Sequence, residues 1–465
     1  MAAEDGAAAV PARAGALRAV ALLVAAGAGC AALYAWLPFD AVVRKALCLT
    51  LFIGLLWLTE VLPLAATALL VPLAALLLGF PGLTTTRAFA PFADPIVFVF
   101  FGGFALATAL RVQQLDRKMA VALLRAARGH LGAAVVLVIV ATAVLSMGIS
   151  NTATAALMLP LALGILRPLD PRAERATYAF VLLGVAYAAS IGGIGTLVGS
   201  PPNAIAARAA GIDFTGWLAI GLPLVALLLP LTVLTLWVVL RPQLGRRLDF
   251  DLTPVPWTGA RLATLVVFAL TALGWTVGGD LLRDAGIAGS DTVFAVAAAV
   301  AVLALGLASW REVARHTDWG VLLLFGGGLA LSEVLGLSGA SVVLGARIAQ
   351  ALGSTSPWLV LLAVAAFMVV VSEFASNTAA AALLVPVFGA LAAGLGLPKE
   401  TLVVLVALAA SCGFALPVAT PPNALVFGTG FLAQRDMLRA GLALDAVCVL
   451  VLALWALATL AVGWP

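Results

Sequence analysis

An all-α polytopic membrane protein made of two inverted repeats is the fold class this chain predicts, and three observations predict it. Of its 465 residues, 64% are hydrophobic and 10% charged, with a mean hydropathy of +1.18, whereas a soluble domain is apolar over about half its residues. Apolar runs of helical length recur from end to end, as bilayer thickness demands of spanning helices. Three short motifs also return in one order: Phe101-Gly102-Gly103, Ser150-Asn151-Thr152 and Pro201-Pro202-Asn203 come back as Phe325-Gly326-Gly327, Ser376-Asn377-Thr378 and Pro421-Pro422-Asn423. The paired motifs lie 224, 226 and 220 residues apart. Chance yields single matches but seldom an ordered set, so the chain is a duplicated half of roughly 220 residues, the internal symmetry of a secondary transporter.

Taken in order, residues 1 to 15 read as a tail, and an apolar run from Arg18 to Leu37 reads as a retained first helix rather than a signal peptide. Residues 16 to 130 and 241 to 355 divide off as scaffold helices, and 131 to 240 and 356 to 465 as the two halves of a transport unit. Spans follow near 46 to 60, 62 to 79, 95 to 110, 177 to 196, 215 to 240, 261 to 279, 291 to 309, 319 to 337, 400 to 418 and 437 to 463. With the first helix these make about eleven crossings, and two apolar hairpins remain. The segments 111 to 130 and 338 to 356 suit helices lying along the membrane surface.

Orientation follows from the 25 Lys and Arg residues. With the N-terminus inside, all but Arg44, Lys45, Arg87, Arg208, Arg283, Arg347 and Lys399 fall on the cytoplasmic side, which places the C-terminus outside. Trp36, Trp217, Trp237, Trp257, Trp310, Trp319, Trp358 and Trp464 stand near span ends, where interfacial anchors belong. Five crossings separate corresponding points of the repeats, and an odd number inverts the second against the first.

The first hairpin, 131 to 166, is flanked by Arg128 and Arg167, so both ends lie on one side. Its second arm, 153 to 166, is roughly 21 Å as helix, short of a ~30 Å hydrocarbon core. The hairpin is therefore expected to be re-entrant, with Ser150-Asn151-Thr152 at its tip in mid-membrane; an ordinary helical pair with that turn is the plain alternative. Exposed backbone at such depth survives only where it lines a cavity or is buried in protein. A capped helix start suits an anion, while freed carbonyls with Ser and Asn oxygens suit Na⁺. The Gly-rich stretches ending in Pro201-Pro202-Asn203 and Pro421-Pro422-Asn423 break two spans, because proline lacks an amide hydrogen and bars helix for the residue before it.

These residues, with Trp57-Leu58-Thr59-Glu60, resemble the divalent anion:sodium symporters over nearly the whole chain. That resemblance implies a homodimer in the cell (inner) membrane, with scaffold and mobile transport domains working by an elevator-like movement. It implies one Na⁺ site at Ser146, Ser150, Asn151 and Gly199 and another at Ser372, Ala375, Asn377 and Ala419. It implies contacts to a small dicarboxylate from Asn151, Thr152, Ser200, Pro201, Asn377, Thr378, Thr420 and Pro421.

Other classes fare worse. Cys30, Cys48, Cys412 and Cys448 lack CxxC spacing, and His130 and His316 lack partners at metal-ligand spacing. No basic run interleaved with aromatics suggests nucleic acid, and no nucleophile with a base suggests an enzyme. A cation/proton antiporter is expected to need a core carboxylate at its tips, where only Glu373 stands near; a structural pairing suits that residue better than ion ligation. A cation-independent exchanger, or a carrier of citrate or sulfate, is the alternative on the same fold.

Overall fold

A computed structural model describes residues 9–247, 255–284, 289–352 and 356–462. The chain runs α1 (Ala9–Trp36), α2 (Ala41–Thr59), α3 (Leu64–Leu78), a short α4 (Thr85–Phe89) with a 3-10 turn at Ala90–Ala93, α5 (Pro95–Val112) and α6 (Leu115–Ala126). The first hairpin is α7 (Leu131–Ser146) and α8 (Asn151–Leu166); α9 (Arg175–Gly193) then breaks, restarts as α10 (Pro201–Ala210), and leads to α11 (Phe214–Leu240). The second half runs α12 (Gly259–Asp284), α13 (Ser290–Ala304), α14 (Trp310–His316), α15 (Trp319–Leu337) and α16 (Ala340–Leu352). Its hairpin is α17 (Pro357–Phe374) and α18 (Asn377–Leu391), followed by α19 (Lys399–Ala410), the restart α20 (Pro421–Phe427) and α21 (Gln434–Val462). Among the described residues no strand forms beyond a single bridge between His130 and Arg247.

Local signals place the ends. Asp94 accepts the amide of Ile96 and Pro95 follows it, so α5 starts there. Ser309 and Glu312 form a reciprocal capping box on α14. The linker before α12 adds its own caps: the carbonyls of Arg246 and Leu244 accept the amides of Leu131 and Gly132 at the start of α7.

Among the described residues, eight helices are long and apolar enough to cross a membrane. Seven coincide with expected crossings; the eighth is Pro357–Phe374, the first arm of the second hairpin. The expected spans near 62 to 79 and 291 to 309 are shorter apolar helices of 15 residues each, and that near 400 to 418 is a helix of 12 residues cut off where the chain unwinds toward Pro421. The first helix begins at Ala9, inside the segment read as a tail, because an Ala-rich stretch favours helix; residues 1 to 8 and Trp464 lie outside the described residues. Trp217 is corrected as well. It is fully buried, not interfacial, and its indole donates to the carbonyl of Ile194 at 3.0 Å.

The Phe-Gly-Gly motifs are where helices approach closely. A methyl at Gly102 would stand 2.3 Å from the carbonyl oxygen of Ala295 on α13, and one at Gly327 would stand 2.7 Å from Ala68 on α3. The most enclosed helices are the two that break: every residue of α9 from Thr177 to Gly193 is buried, as is every residue of α19 from Thr401 to Ala410. Helices apolar on all sides must be covered on all sides. Around them the halves interlock, since α10 packs on α18 and α19 of the second half while α20 packs on α8 and α9 of the first.

Candidate transport site

At the first tip, α7 ends at Ser146 and α8 begins at Asn151. Ser150 is extended (φ −56°, ψ 145°), and its hydroxyl caps α8 by accepting the amide of Ala153 at 3.4 Å. The 16-residue α8 is about 24 Å long, still too short for the hydrocarbon core.

Ser146 Oγ donates to the carbonyl of Ala189 at 2.6 Å and lies 2.8 Å from the side-chain amide of Asn151. That amide has two orientations. With its nitrogen inward it donates to Ser146 Oγ, to Ala189 O at 3.1 Å and to Gly199 O at 3.2 Å; with its oxygen inward it can accept the Ser146 hydroxyl but faces the two carbonyls with no proton between them. The first satisfies the cluster by itself, and the second is the arrangement a cation would hold. Neutral hydroxyl, amide and carbonyl oxygens are a hard cation's ligands, so this donor set fits Na⁺.

The second tip repeats the pattern. Ser372 Oγ donates to the carbonyl of Ala410 and lies 2.7 Å from Asn377 Oδ1, with the Ala410 contact also at 2.7 Å. Positions 146 and 372, and 151 and 377, are both 226 apart. Ala375 precedes the tip in an extended conformation (φ −133°, ψ 156°), and its ligand would be its backbone carbonyl.

Each break is held by the Asn after its Pro-Pro. Asn203 Nδ2 donates to Gly193 O at 2.8 Å and Thr196 O at 2.7 Å; Asn423 Nδ2 donates to Gly413 O at 3.2 Å and Leu416 O at 3.0 Å. These are carbonyls a continuous helix would have used, and a side-chain amide replaces the missing partners. Gly199 reaches the first cluster because it lacks a side chain: a methyl there would stand 2.6 Å from Gly193 O and 2.8 Å from Ser146 O.

Of the expected Na⁺ ligands, Ser146, Asn151 and Gly199 come together directly, as do Ser372 and Asn377; Ser150 caps the adjoining helix. Of the expected substrate contacts, Thr152 and Pro421 are exposed, Asn151, Pro201, Asn377 and Thr378 half-buried, and Ser200 and Thr420 buried. The Thr420 hydroxyl caps α20 by accepting the amide of Asn423 at 3.2 Å. Glu373 is engaged structurally: its two oxygens accept the amides of Ala415 and Leu416 at 2.8 Å each. Asp445, for which the sequence suggests a helix-packing or cavity-facing role, accepts the amide of Phe414 at 3.2 Å; sequence reasoning missed Tyr187, which donates to the carbonyl of Phe414 at 2.7 Å. It also missed the carbonyls of Ala189 and Ala410, which no side-chain signal marks.

Helices long enough to cross a membrane, two hairpins with polar tips and two broken helices define a multi-pass membrane transporter rather than an enzyme. A family model described as "Citrate transporter" matches residues 55–397 and 353–463, and the chain belongs to that family of carriers, within the divalent anion:sodium symporter kind. An uncharacterized transporter of Haemophilus influenzae is 47% identical over 425 residues, covering 90% of this chain and 92% of that one. One of Methanocaldococcus jannaschii is 34% identical over 416 residues, with 89% and 94% covered. A sodium-dependent dicarboxylate transporter of Staphylococcus saprophyticus is 31% identical over 447 residues, with 88% and 84% covered. Among solved structures, the Alcanivorax borkumensis YdaH transporter shares the fold, with a TM-score of 0.59, 15% identity, and coverage of 87% of this chain and 99% of that one.

Proposed function

We propose that this protein is a sodium-coupled importer of small dicarboxylates of the succinate, malate or fumarate type. The observation that carries the reading is the pair of neutral oxygen clusters, Ser146 with Asn151 and Gly199, and Ser372 with Asn377, each at the start of a hairpin's second arm. A dicarboxylate brings two negative charges, and neither tip nor either Pro-Pro-Asn stretch contains a Lys or Arg. Helix N-termini at α8 and α18 offer only about half a charge each. Two Na⁺ ions on the clusters, with ligands completed by Ser150, Ala375 and Ala419, would supply the balance and become part of the anion site. Thr152, Ser200, Pro201, Thr378, Thr420 and Pro421 would meet the substrate beside the two Asn. The sodium-dependent dicarboxylate relatives support the same reading.

For the movement, the reading takes α7 to α11 with α17 to α21 as the travelling body and α1 to α6 with α12 to α16 as the scaffold, carried as a homodimer in the inner membrane. The N-terminus faces the cytoplasm and the C-terminus the outside, so the two halves stand inverted. Interlocking of α10 with α18 and of α20 with α8 supports one travelling unit, because neither hairpin can move without the other half's restart helix. An elevator shift then carries both tips together.

The test is labelled succinate uptake into proteoliposomes with no dicarboxylate inside. An inward Na⁺ gradient should drive uptake, K⁺ should not replace it, and substrate affinity should rise with Na⁺ by reciprocal linkage. Transport that ignores Na⁺ and starts only once internal anion is loaded would establish the exchanger instead.

A further inference from the structure

A cavity of about 650 Å³ lies apart from both oxygen clusters, and no cluster residue lines it. Its walls come from the α4–α5 region (Arg87, Asp94), α10 (Arg208), α15 (Glu333) and the start of α19 (Lys399). Arg87 is ion-paired with Glu333, and Arg208 Nε with Asp94 Oδ2 at 2.7 Å. The side chains of Arg87 and Arg208 are 49% and 52% exposed, so the cavity reaches the surface. Three cations against two carboxylates leave one positive charge over. It is that of Lys399, whose stem runs along Gly389, its Cε 3.5 Å from where a methyl on that glycine would stand. Among the described residues the Lys399 ammonium has no ion pair or hydrogen bond. Behind the charged rim the wall is apolar, made by Ile205, Phe325, Leu329, Val385 and Pro386. The volume falls within the range of small-molecule sites, which pair an apolar body with a few polar groups that fix orientation.

We propose that this cavity binds an amphiphilic monoanion, its head on Lys399 and its apolar body against Phe325, Leu329 and Pro386. One negative charge matches the one left over, and the apolar wall rewards a hydrocarbon tail where a small dicarboxylate would leave its second charge without a cation. A free carboxylate with a tail and the head of an anionic lipid share this chemistry. Because α10 and α19 meet α15 across the cavity, an occupant would join the two bodies of the carrier and slow uptake. That consequence rests on the elevator reading; the binding does not.

The experiment uses the full-length protein with Cys30, Cys48, Cys412 and Cys448 replaced and Ser341→Cys introduced, since Ser341 lines the cavity. Maleimide labelling is followed in phosphatidylcholine vesicles with and without octanoate, and separately in vesicles containing phosphatidylglycerol. Octanoate should slow labelling; Lys399→Gln should raise the octanoate concentration needed by about tenfold, the worth of one charge-assisted contact, and Lys399→Arg should restore it. Protection in the phosphatidylglycerol vesicles alone, lost in Lys399→Gln, assigns the site to lipid. Three results overturn the proposal: no labelling in plain phosphatidylcholine, labelling indifferent to both anions, or protection unchanged in Lys399→Gln. Each is read without any transport measurement, so failure here is separable from failure of sodium coupling.

Discussion

In the first half, Thr196 donates its hydroxyl to the carbonyl of Met147 and accepts the amide of Gly199 at 3.0 Å, tying the bend after α9 to the end of α7. In the second half the matching positions are Leu416 and Glu373, and the tie runs the other way: the Glu373 carboxylate reaches across to the amides of Ala415 and Leu416. Asp445 adds a bond to Phe414, where the corresponding first-half position is Val225. The carbonyl at the same register is taken by the Trp217 indole in one half and the Tyr187 hydroxyl in the other. The two halves share the Ser–Asn contact and the Asn-held break but differ in their bracing. The divergence matters electrostatically, because one oxygen cluster is braced by neutral groups and the other stands beside a buried acidic pair, Glu373 and Asp445, and negative charge held by that pair favours a cation.

The largest effect is expected where the halves are alike: Asn151→Ala and Asn377→Ala should each cut uptake more than about a hundredfold, as removal of a preorganised polar contact does. Tryptophan-fluorescence melting of the purified variants should stay near that of the parent. Near-normal uptake by either variant would show that its Asn holds no ligand and that the two clusters are not equivalent.

Next comes the position where they differ by one methyl. Gly199→Ala forces a Cβ within 2.6 Å of a backbone oxygen that has nowhere to go, and uptake should fall by about tenfold or more, as misplacement by about an ångström does. Ala419→Gly, at the matching place, should cost no more than about 1 kcal/mol of stability and leave uptake largely intact. Equal losses in both would mean that the two bends are not built alike.

A smaller effect separates the two braces. Glu373→Gln removes a charge and one good acceptor, so stability should drop by about 1–3 kcal/mol and half-maximal uptake should need several-fold more Na⁺. Thr196→Val should lower stability alone, its Na⁺ dependence unchanged. A Na⁺ titration run on both variants decides; matching curves would remove the electrostatic distinction between the halves.

The smallest is the shared carbonyl anchor. Tyr187→Phe deletes one buried hydrogen bond and should lower stability by about 1 kcal/mol in thermal melts; Trp217→Phe deletes the equivalent bond and also shrinks a fully buried ring, so it should cost about 2–3 kcal/mol, with uptake little altered in both. A loss several times larger than these in one half would show that its bend depends on that single anchor.

Much of this was legible in the chain. Helix spans declared themselves through long apolar runs, and hairpin tips and breaks through polar, Gly and Pro residues set where such residues are costly. Trp217 was misplaced because a tryptophan near a span end looks interfacial; its burial follows from a carbonyl that the α9 break sets free. Asp445 drew no attention as a cluster partner, since 31 residues separate it from Phe414. The three expected crossings that proved short share one cause: an apolar run measures hydrophobic length, while turns and unwound stretches inside it set helix length.

By itself the sequence determined the class, the recurring motifs, the two tips and the two breaks, because each is written in local composition and in the backbone limits of glycine and proline. Only the tertiary structure decided which oxygens meet. The carbonyls of Ala189, Gly199 and Ala410 belong to residues without distinctive side chains, and they reach Ser146, Asn151 and Ser372 only when α9 and α19 are enclosed and unwound beside the hairpins. A backbone carbonyl becomes a ligand through the path of the chain around it, and that path is set by packing between segments distant in sequence.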